Sequence, residues 1–254
     1  RLSIIDLNNR SKQPMSDASK KYFITFNGEI YNYKSIRKEL ISYGINFKTD
    51  SDTEVLLNSY IFWGEEFIKK IKGMFSFAIY DSVKNNYYIF RDRFGIKPLY
   101  YSILNDKLKF ASESRALTFK KNTLNQNSVN AYLLGMFVPG KLSIYQDIYK
   151  LLPGHFLKIE NQKISTHEYY NLENNLNNNF NKISTTKTDI ILKESISEHL
   201  NSDVKVLNYL SAGLDSSLMV KYASELDKKI ETVSLNYENA IYQEGKKAKD
   251  FASK

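Results

Sequence analysis

The sequence predicts an α+β domain followed by the beginning of an α/β domain, and three observations support this prediction. Short strand-like segments separated by turns dominate residues 22–167, whereas helical and strand patterns alternate over residues 187–254. Between them lies an asparagine-rich stretch, residues 171–181, that is too polar to pack well. Strands in runs with helices set apart indicate antiparallel sheets covered by helices, and a βαβ order indicates a parallel sheet.

In the first part, apolar patterns bounded by turn-forming residues predict the strands, and apolar residues at three- and four-residue spacing predict the helices. The strands are predicted at residues 22–30, 74–81, 86–91, 99–104, 107–111, 155–160 and 163–166. The helices are predicted at residues 34–43, 53–63 and 128–134. The chain opens at Arg1 rather than Met, and residues 2–5 have the apolar character of a strand already under way, so we expect it to be cut at its amino end.

The second part predicts alternating elements, at residues 187–201 (helix), 204–210 (strand), 217–226 (helix) and 230–237 (strand). Residues 242–254 look helical but lack a Gly or Asn cap, so we expect a cut at this end too. The expected domains are residues 1–168, a linker at 169–186, and residues 187–254. Because two strands are too few for a parallel sheet with both faces covered, we expect the last segment to be poorly ordered by itself.

Composition excludes several classes of function. With 254 residues and 42% hydrophobic content, the chain can bury a sizeable core. The net charge is +8, but the basic residues are scattered rather than clustered, which argues against a nucleic-acid partner. There is no cysteine, so these residues form neither disulfides nor thiolate metal sites. No apolar run approaches the roughly 20 residues of a membrane span, and we expect a cytoplasmic protein without a membrane partner.

A turn of small residues, 211–217, lies between an apolar strand and a helix start, where backbone N–H groups can close around an anion. The hydroxyls of Ser211, Ser216 and Ser217 add donors. Asp215 would repel phosphate unless a cation lies between them, which indicates Mg²⁺. The alternative is an ordinary βα turn in which Gly213 takes a special backbone angle, Asp215 caps the helix and the serines are solvated.

This turn resembles the SGGxDS pyrophosphate loop of the ATP pyrophosphatase superfamily, which cleaves ATP to AMP and pyrophosphate while adenylating a carboxyl or carbonyl oxygen. Ala212 stands where that loop has its first Gly. The first part is similar to the class II glutamine amidotransferase domain of the asparagine synthetase family. The similar stretches occur in the family's order, at residues 1–6, 26–32, 51–54, 73–78, 91–100 and 110–113. Residues 152–155 and 202–204 extend the resemblance over nearly all of the chain.

The resemblance implies an Ntn-hydrolase-like fold for the first domain and an oxyanion hole made by the Asn27 side chain and the Gly28 backbone N–H. Both are neutral donors of the kind that stabilises an oxyanion. It implies that Arg1 binds the carboxylate of glutamine and that Glu29 and Asp52 bind its ammonium group. The full set of implied glutamine-binding residues is Arg1, Leu2, Ser3, Ile4, Ile5, Asn27, Gly28, Glu29 and Asp52.

The family's nucleophile is an amino-terminal cysteine, and this chain has none. We therefore expect a fragment that lacks this cysteine and most of the synthetase domain, and that does not hydrolyse glutamine as it stands. A natural variant that uses free ammonia is the alternative explanation.

The resemblance also implies ATP and Mg²⁺ as cofactors, with Asp215 as the residue that holds Mg²⁺. The implied ATP-binding residues are Leu210, Ser211, Gly213, Leu214, Asp215, Ser216, Ser217 and Leu235. The implied activity is glutamine-dependent asparagine synthesis, in which ammonia from glutamine attacks an aspartyl-adenylate made from aspartate and ATP. The products are asparagine, AMP and pyrophosphate, and a homodimer is an open alternative to a monomer.

Three other hypotheses stay open at this point. One is a related amidotransferase that acts on another carboxylate acceptor, because the acceptor pocket would lie after Lys254. Another is a non-catalytic glutamine- or nucleotide-binding protein that has lost its cysteine. The third is an α+β protein in which the motifs occur by chance.

Overall fold

A computed structural model describes two compact units, Arg1–Leu176 and Asn177–Lys254. The residues described are 2, 4–105, 107–118, 123–175, 184–211, 213–226, 230–236 and 244–253. None of the helices in these ranges is long and apolar enough to cross a membrane.

The main sheet of the first unit has six strands, all paired antiparallel, in the order β1-β2-β3-β4-β8-β9. These strands are β1 (Met15–Ser16), β2 (Tyr22–Ile30), β3 (Gly73–Asp81), β4 (Asn86–Arg91), β8 (His155–Glu160) and β9 (Lys163–Glu168). A smaller antiparallel sheet has the order β6-β5-β7 and consists of β5 (Tyr100–Leu104), β6 (Lys107–Ala111) and β7 (Tyr149–Lys150). The predicted antiparallel α+β architecture is confirmed.

Two helices, α1 (Tyr33–Ser42) and α2 (Asp52–Trp63), cover one face of the main sheet. Alternate side chains of β2, β3 and β4 point to this face, as the two-residue period of a strand requires. The shared core is aromatic-rich, and each fully buried side chain of this size contributes about 1.5–3 kcal/mol. Its largest sheet residues are Phe26, Phe75, Phe77, Tyr88 and Phe90.

The opposite face of the main sheet packs against the smaller sheet. Ile89 and Leu157 of the main sheet form a second core with Leu99 and Leu151, which flank strands of the smaller sheet. The first unit is therefore layered as helices, main sheet and small sheet. The helix α3 (Gln126–Gly135) and short 3-10 helices at Asn9–Ser11, Gly64–Lys69 and Ser114–Leu117 complete it, followed by α4 (Leu172–Asn175).

The described residues of the second unit form three helices and a two-stranded parallel sheet. Its elements are α5 (Thr185–His199), β10 (Leu207–Tyr209), α6 (Leu214–Leu226), β11 (Glu231–Val233) and α7 (Glu244–Ala252). The parallel pairing agrees with the predicted βαβ order. The buried core of the described part is small and consists of Leu210, Val220 and Ala248.

Three predictions of local structure were wrong. Leu2, Ile4 and Ile5 are not in a strand, because the chain bends at Asp6 (φ 44°) and Ile5 packs into the core instead. In the polar stretch, for which no element was predicted, residues 172–175 form a helical turn, and the side chain of Asn171 accepts the first N–H groups of that turn.

The other two errors concern the second unit. The strands predicted at 204–210 and 230–237 are only three residues long each, since pairing partners exist only over that length. Helix α6 begins at Leu214 rather than at residue 217, so half of the predicted loop is the first turn of a helix. Residues 237, 242, 243 and 254 of the predicted elements lie outside the described ranges.

Candidate functional site

Asn27 lies in the centre of β2 and faces a small cavity between the two sheets of the first unit. Its Nδ2 donates to the Oγ of Ser112, the residue that follows β6, over 3.3 Å. The cavity has a volume of about 190 Å³. It is lined by Gln13, Thr25, Phe26, Asn27, Ser76, Phe77, Leu99, Phe110, Ala111 and Ser112. The amide of Asn27 is thus a fixed donor at the edge of a cavity that can hold a small group.

Gly28 is required by the packing of the main sheet. A Cβ atom at this position would lie 2.1 Å from the carbonyl oxygen of Met74 and 2.7 Å from the Cα of Phe75, both on β3. No side chain fits at that distance, so only glycine allows β2 and β3 to pair here. This steric reason accounts for Gly28 without any ligand.

Glu29 and Asp52 form a buried acidic pair. Glu29 is 4% exposed and Asp52, the first residue of α2, is 5% exposed. One carboxylate oxygen of Asp52 accepts the N–H of Ile30 over 3.1 Å. The Oε1 atom of Glu29 has no hydrogen-bond partner among the described residues. A buried acceptor without a donor costs stability, so this atom indicates a position where a donor from a ligand fits.

The pKa of Glu29 is raised to about 7, by burial first and then by the negative charge of Asp52, while Lys97 acts in the opposite direction. Glu29 also affects Tyr31, whose pKa is raised to about 12 by burial first and then by Glu29 and Asp92. The site therefore carries excess negative charge in a desolvated position. A ligand ammonium group would relieve both the charge and the missing hydrogen bond.

The loop that carries Asp52 is held by a second buried acid. Asp6 is 3% exposed, and its carboxylate accepts the N–H of Asp50 at 2.9 Å and Nε of Arg10 at 3.1 Å. Burial alone would raise the pKa of Asp6, but hydrogen bonds from Asp50, Asn8 and their neighbours lower it to well below its ordinary value. Asp6 is thus a charged residue with a structural role. It holds the backbone of Asp50, which lies two residues before Asp52.

The segment of residues 91–98 is organised by Asp92, which is completely buried. Its carboxylate accepts four backbone N–H groups, those of Phe75, Phe94, Ile96 and Lys97. The guanidinium group of Arg91 donates to the carbonyl oxygens of Gly95, Lys97 and Leu151. The two side chains brace the turn, as we expect of a structural role, and the turn places Lys97 near Glu29.

Of the predicted glutamine-binding residues, the structure brings Asn27, Gly28, Glu29 and Asp52 together. Ile5 is buried and Ile4 packs against the core, so their side chains belong to the core. Leu2 is partly buried, whereas Arg1 and Ser3 lie outside the described residues.

The predicted ATP residues surround the start of α6. Leu210 is buried, its N–H donates to Val233, and its carbonyl oxygen accepts the hydroxyl of Ser234 at 2.6 Å. Leu214 and Leu235 are exposed. The end of β10 and the end of β11 are thereby held close together.

Two serines of this turn bind each other. The hydroxyls of Ser211 and Ser216 are 2.8 Å apart, and Ser216 also accepts the N–H of Ser211. The N–H of Ser217 donates to the carbonyl oxygen of Gly213, so the amides that precede it are those of the first helical turn. Asp215 lies in that turn, and Ala212 is outside the described residues. The Ser216 hydroxyl is therefore engaged within the turn, whereas the first amides of a helix have no acceptor inside the helix.

Ser112, Gln13 and Lys97 are site residues that sequence reasoning missed. Ser112 belongs to one of the similar stretches, but it lies 85 residues from Asn27, and no spacing rule connects them. In the described part of the chain, no three His, Asp or Glu side chains are close enough to hold one metal ion.

Two family models match this chain. Residues 1–170 match a model described as glutamine amidotransferase domain, and residues 187–254 match one described as asparagine synthase. Asparagine synthetase (glutamine-hydrolyzing) 1 of Bacillus subtilis is 37% identical over 100% of this chain and 40% of its own length. Asparagine synthetase (glutamine-hydrolyzing) 3 of the same organism is 31% identical over 94% of this chain and 40% of its own length.

Amidase chry2 of Gibberella zeae is also similar, at 31% identity over 90% of this chain and 34% of its own length. Among solved structures, a glutamine phosphoribosylpyrophosphate amidotransferase from B. subtilis matches with a TM-score of 0.44 and 17% identity, over 89% of this chain and 49% of that one. The chain spans about 40% of the length of the two synthetases.

Proposed function

Because this chain belongs to the glutamine amidotransferase family, we propose that it provides the glutamine site and the start of the ATP site of a glutamine-dependent asparagine synthetase. Membership in this family and the antiparallel sheets agree with an Ntn-hydrolase-like first domain. The proposed domains are residues 1–168 and 187–254, joined by the linker at residues 169–186. The observation that carries the proposal is the buried pair of Glu29 and Asp52, with one unpaired carboxylate oxygen, beside Asn27 and Gly28.

In this proposal the ammonium group of glutamine binds between Glu29 and Asp52, which supply the negative charge. The ammonium group donates the hydrogen bond that Oε1 of Glu29 lacks among the described residues. The carboxylate of glutamine binds Arg1, and residues 2–5 contact the rest of the amino acid through their backbone, since the side chains of Ile4 and Ile5 belong to the core. The side-chain N–H of Asn27 and the backbone N–H of Gly28 donate to the oxygen of the amide as it becomes an oxyanion. Rigid neutral donors of this kind typically contribute about 10²–10³ in kcat each.

The second unit is proposed to bind ATP at the start of α6. The first-turn amides after Gly213 face the phosphates, the side chains of Leu210, Leu214 and Leu235 contact the nucleoside, and Ser211, Ser216 and Ser217 shape the turn. Asp215 lies in the first turn of α6, and its carboxylate suits Mg²⁺, because this ion is often held by one or two carboxylates plus phosphate oxygens. When bound, Mg²⁺ would neutralise charge on the departing pyrophosphate.

The chemistry connects the two sites through ammonia. The carboxylate of aspartate attacks the α-phosphorus of ATP, pyrophosphate leaves, and an aspartyl-adenylate forms. Ammonia from glutamine then attacks the acyl carbon, and AMP leaves. Free ammonia would be protonated in water near neutral pH, so a protein that hydrolyses glutamine must keep the product away from solvent.

The test uses the protein with the flanking sequence that its gene encodes, since these 254 residues contain no cysteine. AMP and pyrophosphate are measured with aspartate, using glutamine or ammonium as the nitrogen donor. We expect asparagine with both donors, loss of both reactions in Asp215→Ala, and loss of only the glutamine-driven reaction in Asn27→Ala. Glutamine hydrolysis without AMP formation from aspartate would refute the proposed acceptor and leave the glutamine site standing.

A second candidate is an amidotransferase for another carboxylate. It is supported by the similarity to amidase chry2, whose identity to this chain equals that of the second synthetase. A panel of carboxylic acids in the same AMP assay separates the two candidates.

The sequence upstream of Arg1 tests a non-catalytic role, which a start codon followed by a Cys codon would exclude. We also propose a cytoplasmic location, and light scattering decides between a monomer and a homodimer.

A further inference from the structure

The contact between Ser112 and Asn27 joins the two sheets of the first unit at the proposed oxyanion hole. Asn27 lies in the middle of β2 in the main sheet, and Ser112 follows the last residue of β6 in the small sheet. The Nδ2 atom of Asn27 donates to the Oγ of Ser112 over 3.3 Å. Both residues line the same cavity of about 190 Å³.

The geometry of a carboxamide explains why such a contact matters. The amide nitrogen carries two hydrogens, so one N–H bound to Ser112 leaves the second for another acceptor. An asparagine amide can also rotate by half a turn, which exchanges its N–H groups with its carbonyl oxygen at almost no change in shape. Only the orientation with the N–H groups toward the substrate stabilises an oxyanion, because the reversed orientation would place two oxygens against each other.

Among the described residues, Ser112 is the hydrogen-bond partner of the Asn27 amide. Half of the ten side chains around the cavity are apolar, among them Phe26, Phe77 and Phe110, and Ser76 is the polar residue that pairs with Asn27 across the sheet. Gln13 is already engaged, because its Oε1 accepts the N–H of Phe26 at 2.7 Å and its Nε2 contacts the hydroxyl of Thr53. The hydroxyl of Ser112 is therefore a group placed to hold the Asn27 amide, and it does so here by accepting one of the amide N–H groups.

We propose that Ser112 is a positioning residue that orients the side-chain N–H of Asn27 toward the oxyanion formed during glutamine hydrolysis. This inference rests on the proposed function of the site. Ser112 acts through Asn27 and does not touch the substrate. Its removal should lower kcat by roughly threefold to tenfold, the range that the loss of one ordinary hydrogen bond supports. The KM for glutamine should stay unchanged, since Glu29 and Asp52 bind the ammonium group.

The experiment measures glutamine hydrolysis by the full-length protein and its variants. Ser112→Thr and Ser112→Val have nearly the same size and differ in the hydroxyl, so we expect Thr to retain kcat and Val to lose it, as Ser112→Ala does. In an Asn27→Ala background, the Ser112→Ala change should have no further effect, because the group that it positions is gone. Ser114→Ala, two residues away and without a contact to Asn27, is the matched control.

The possible results separate this inference from the proposed function. If the full-length protein does not hydrolyse glutamine, or if Asn27→Ala leaves kcat unchanged, the proposed oxyanion hole is wrong. The proposed role of Ser112 is then wrong as well. If Asn27→Ala lowers kcat but the Thr and Val variants are equally active, Ser112 has no positioning role. If Ser112→Ala lowers the melting temperature and raises KM without a change in kcat, the contact only stabilises the packing of the two sheets. That result would also overturn the proposal. The Thr and Val pair decides the question even where Ser112→Ala does not fold.

Discussion

Replacing Glu29 by glutamine should make the first unit more stable, and increasingly so as the pH rises. Glu29 is buried beside Asp52, and its Oε1 atom lacks a hydrogen-bond partner among the described residues. Its ionised form is therefore held in a place that disfavours negative charge. Glutamine has nearly the same shape as glutamate but no charge, so Glu29→Gln removes the unfavourable charge and leaves the packing in place.

The size of the effect follows from the pKa. Burial raises the pKa of Glu29 from 4.5 to about 7. Because the folded state holds this proton more tightly than the unfolded state, its contribution to stability is present below pH 4.5 and is lost as the pH rises through 7. At about 1.4 kcal/mol per pH unit, the loss is about 1 kcal/mol at pH 5 and about 3 kcal/mol at pH 8.5. The gain from Glu29→Gln should therefore grow by about 2–3 kcal/mol between these pH values.

Urea unfolding followed by tryptophan fluorescence measures this difference. The chain has one tryptophan, Trp63, which ends α2 and packs against the main core, so its signal reports on the first unit. Glu66→Gln is the matched control, because Glu66 is exposed and bound only to Lys69 at the surface, and such pairs contribute about 0–1 kcal/mol. A stability gain for Glu29→Gln that is the same at pH 5 and pH 8.5 would refute the reasoning.

Three further predictions concern the same unit. Glutamine should bind about tenfold more tightly at pH 8 than at pH 6, because ionised Glu29 is the form that accepts the ammonium group. Calorimetry should detect the release of a proton on binding. Equal affinity at both pH values would count against the ammonium site. Gly28→Ala should lower the unfolding free energy by about 3 kcal/mol or more, because its Cβ would meet the Met74 carbonyl. Gly135→Ala, whose Cβ would make only ordinary contacts with Phe137 at 3.4 Å and 3.6 Å, serves as the steric control in urea titrations. Asp92→Ala should lower the unfolding free energy by about 3 kcal/mol or more, since several backbone N–H groups lose their acceptor. A variant whose melting temperature lies within roughly 2 °C of that of the parent protein would contradict this.

Much of the first unit follows from local patterns, as β2 illustrates. Residues 22–30 were predicted as a strand and form one over the same range, because apolar residues alternate there and the strand pairs along its full length with β3. The strand predicted at 204–210 shrank to Leu207–Tyr209, because strand length depends on a partner and β11 is itself short. The period of a pattern thus identifies an element, but tertiary pairing determines where it ends.

The candidate site was accessible to sequence reasoning only in part. Asn27, Gly28 and Glu29 are adjacent in sequence and were predicted together through the resemblance. Asp52, from the start of α2, was predicted through the same resemblance although it lies in a distant segment. Ser112, which follows β6, was not predicted. The positive φ of Asp6, which turns the chain away from a strand, has no signal in the composition of residues 2–6. Contacts of this kind depend on the folded arrangement and not on spacing along the chain.

The edges of the sheets have a consequence for aggregation. The main sheet ends on one side in β1, only two residues long, and on the other in β9, whose side chains are mostly exposed and include Lys163 and Glu168. Short or charged edges are poor templates for strands of other molecules. By contrast, β10 carries exposed Leu207 and Tyr209. Intermolecular strand pairing should therefore begin at β10 and β11. Lysine substitutions at Leu207 and Tyr209 should raise the solubility of the chain while leaving the glutamine site unchanged.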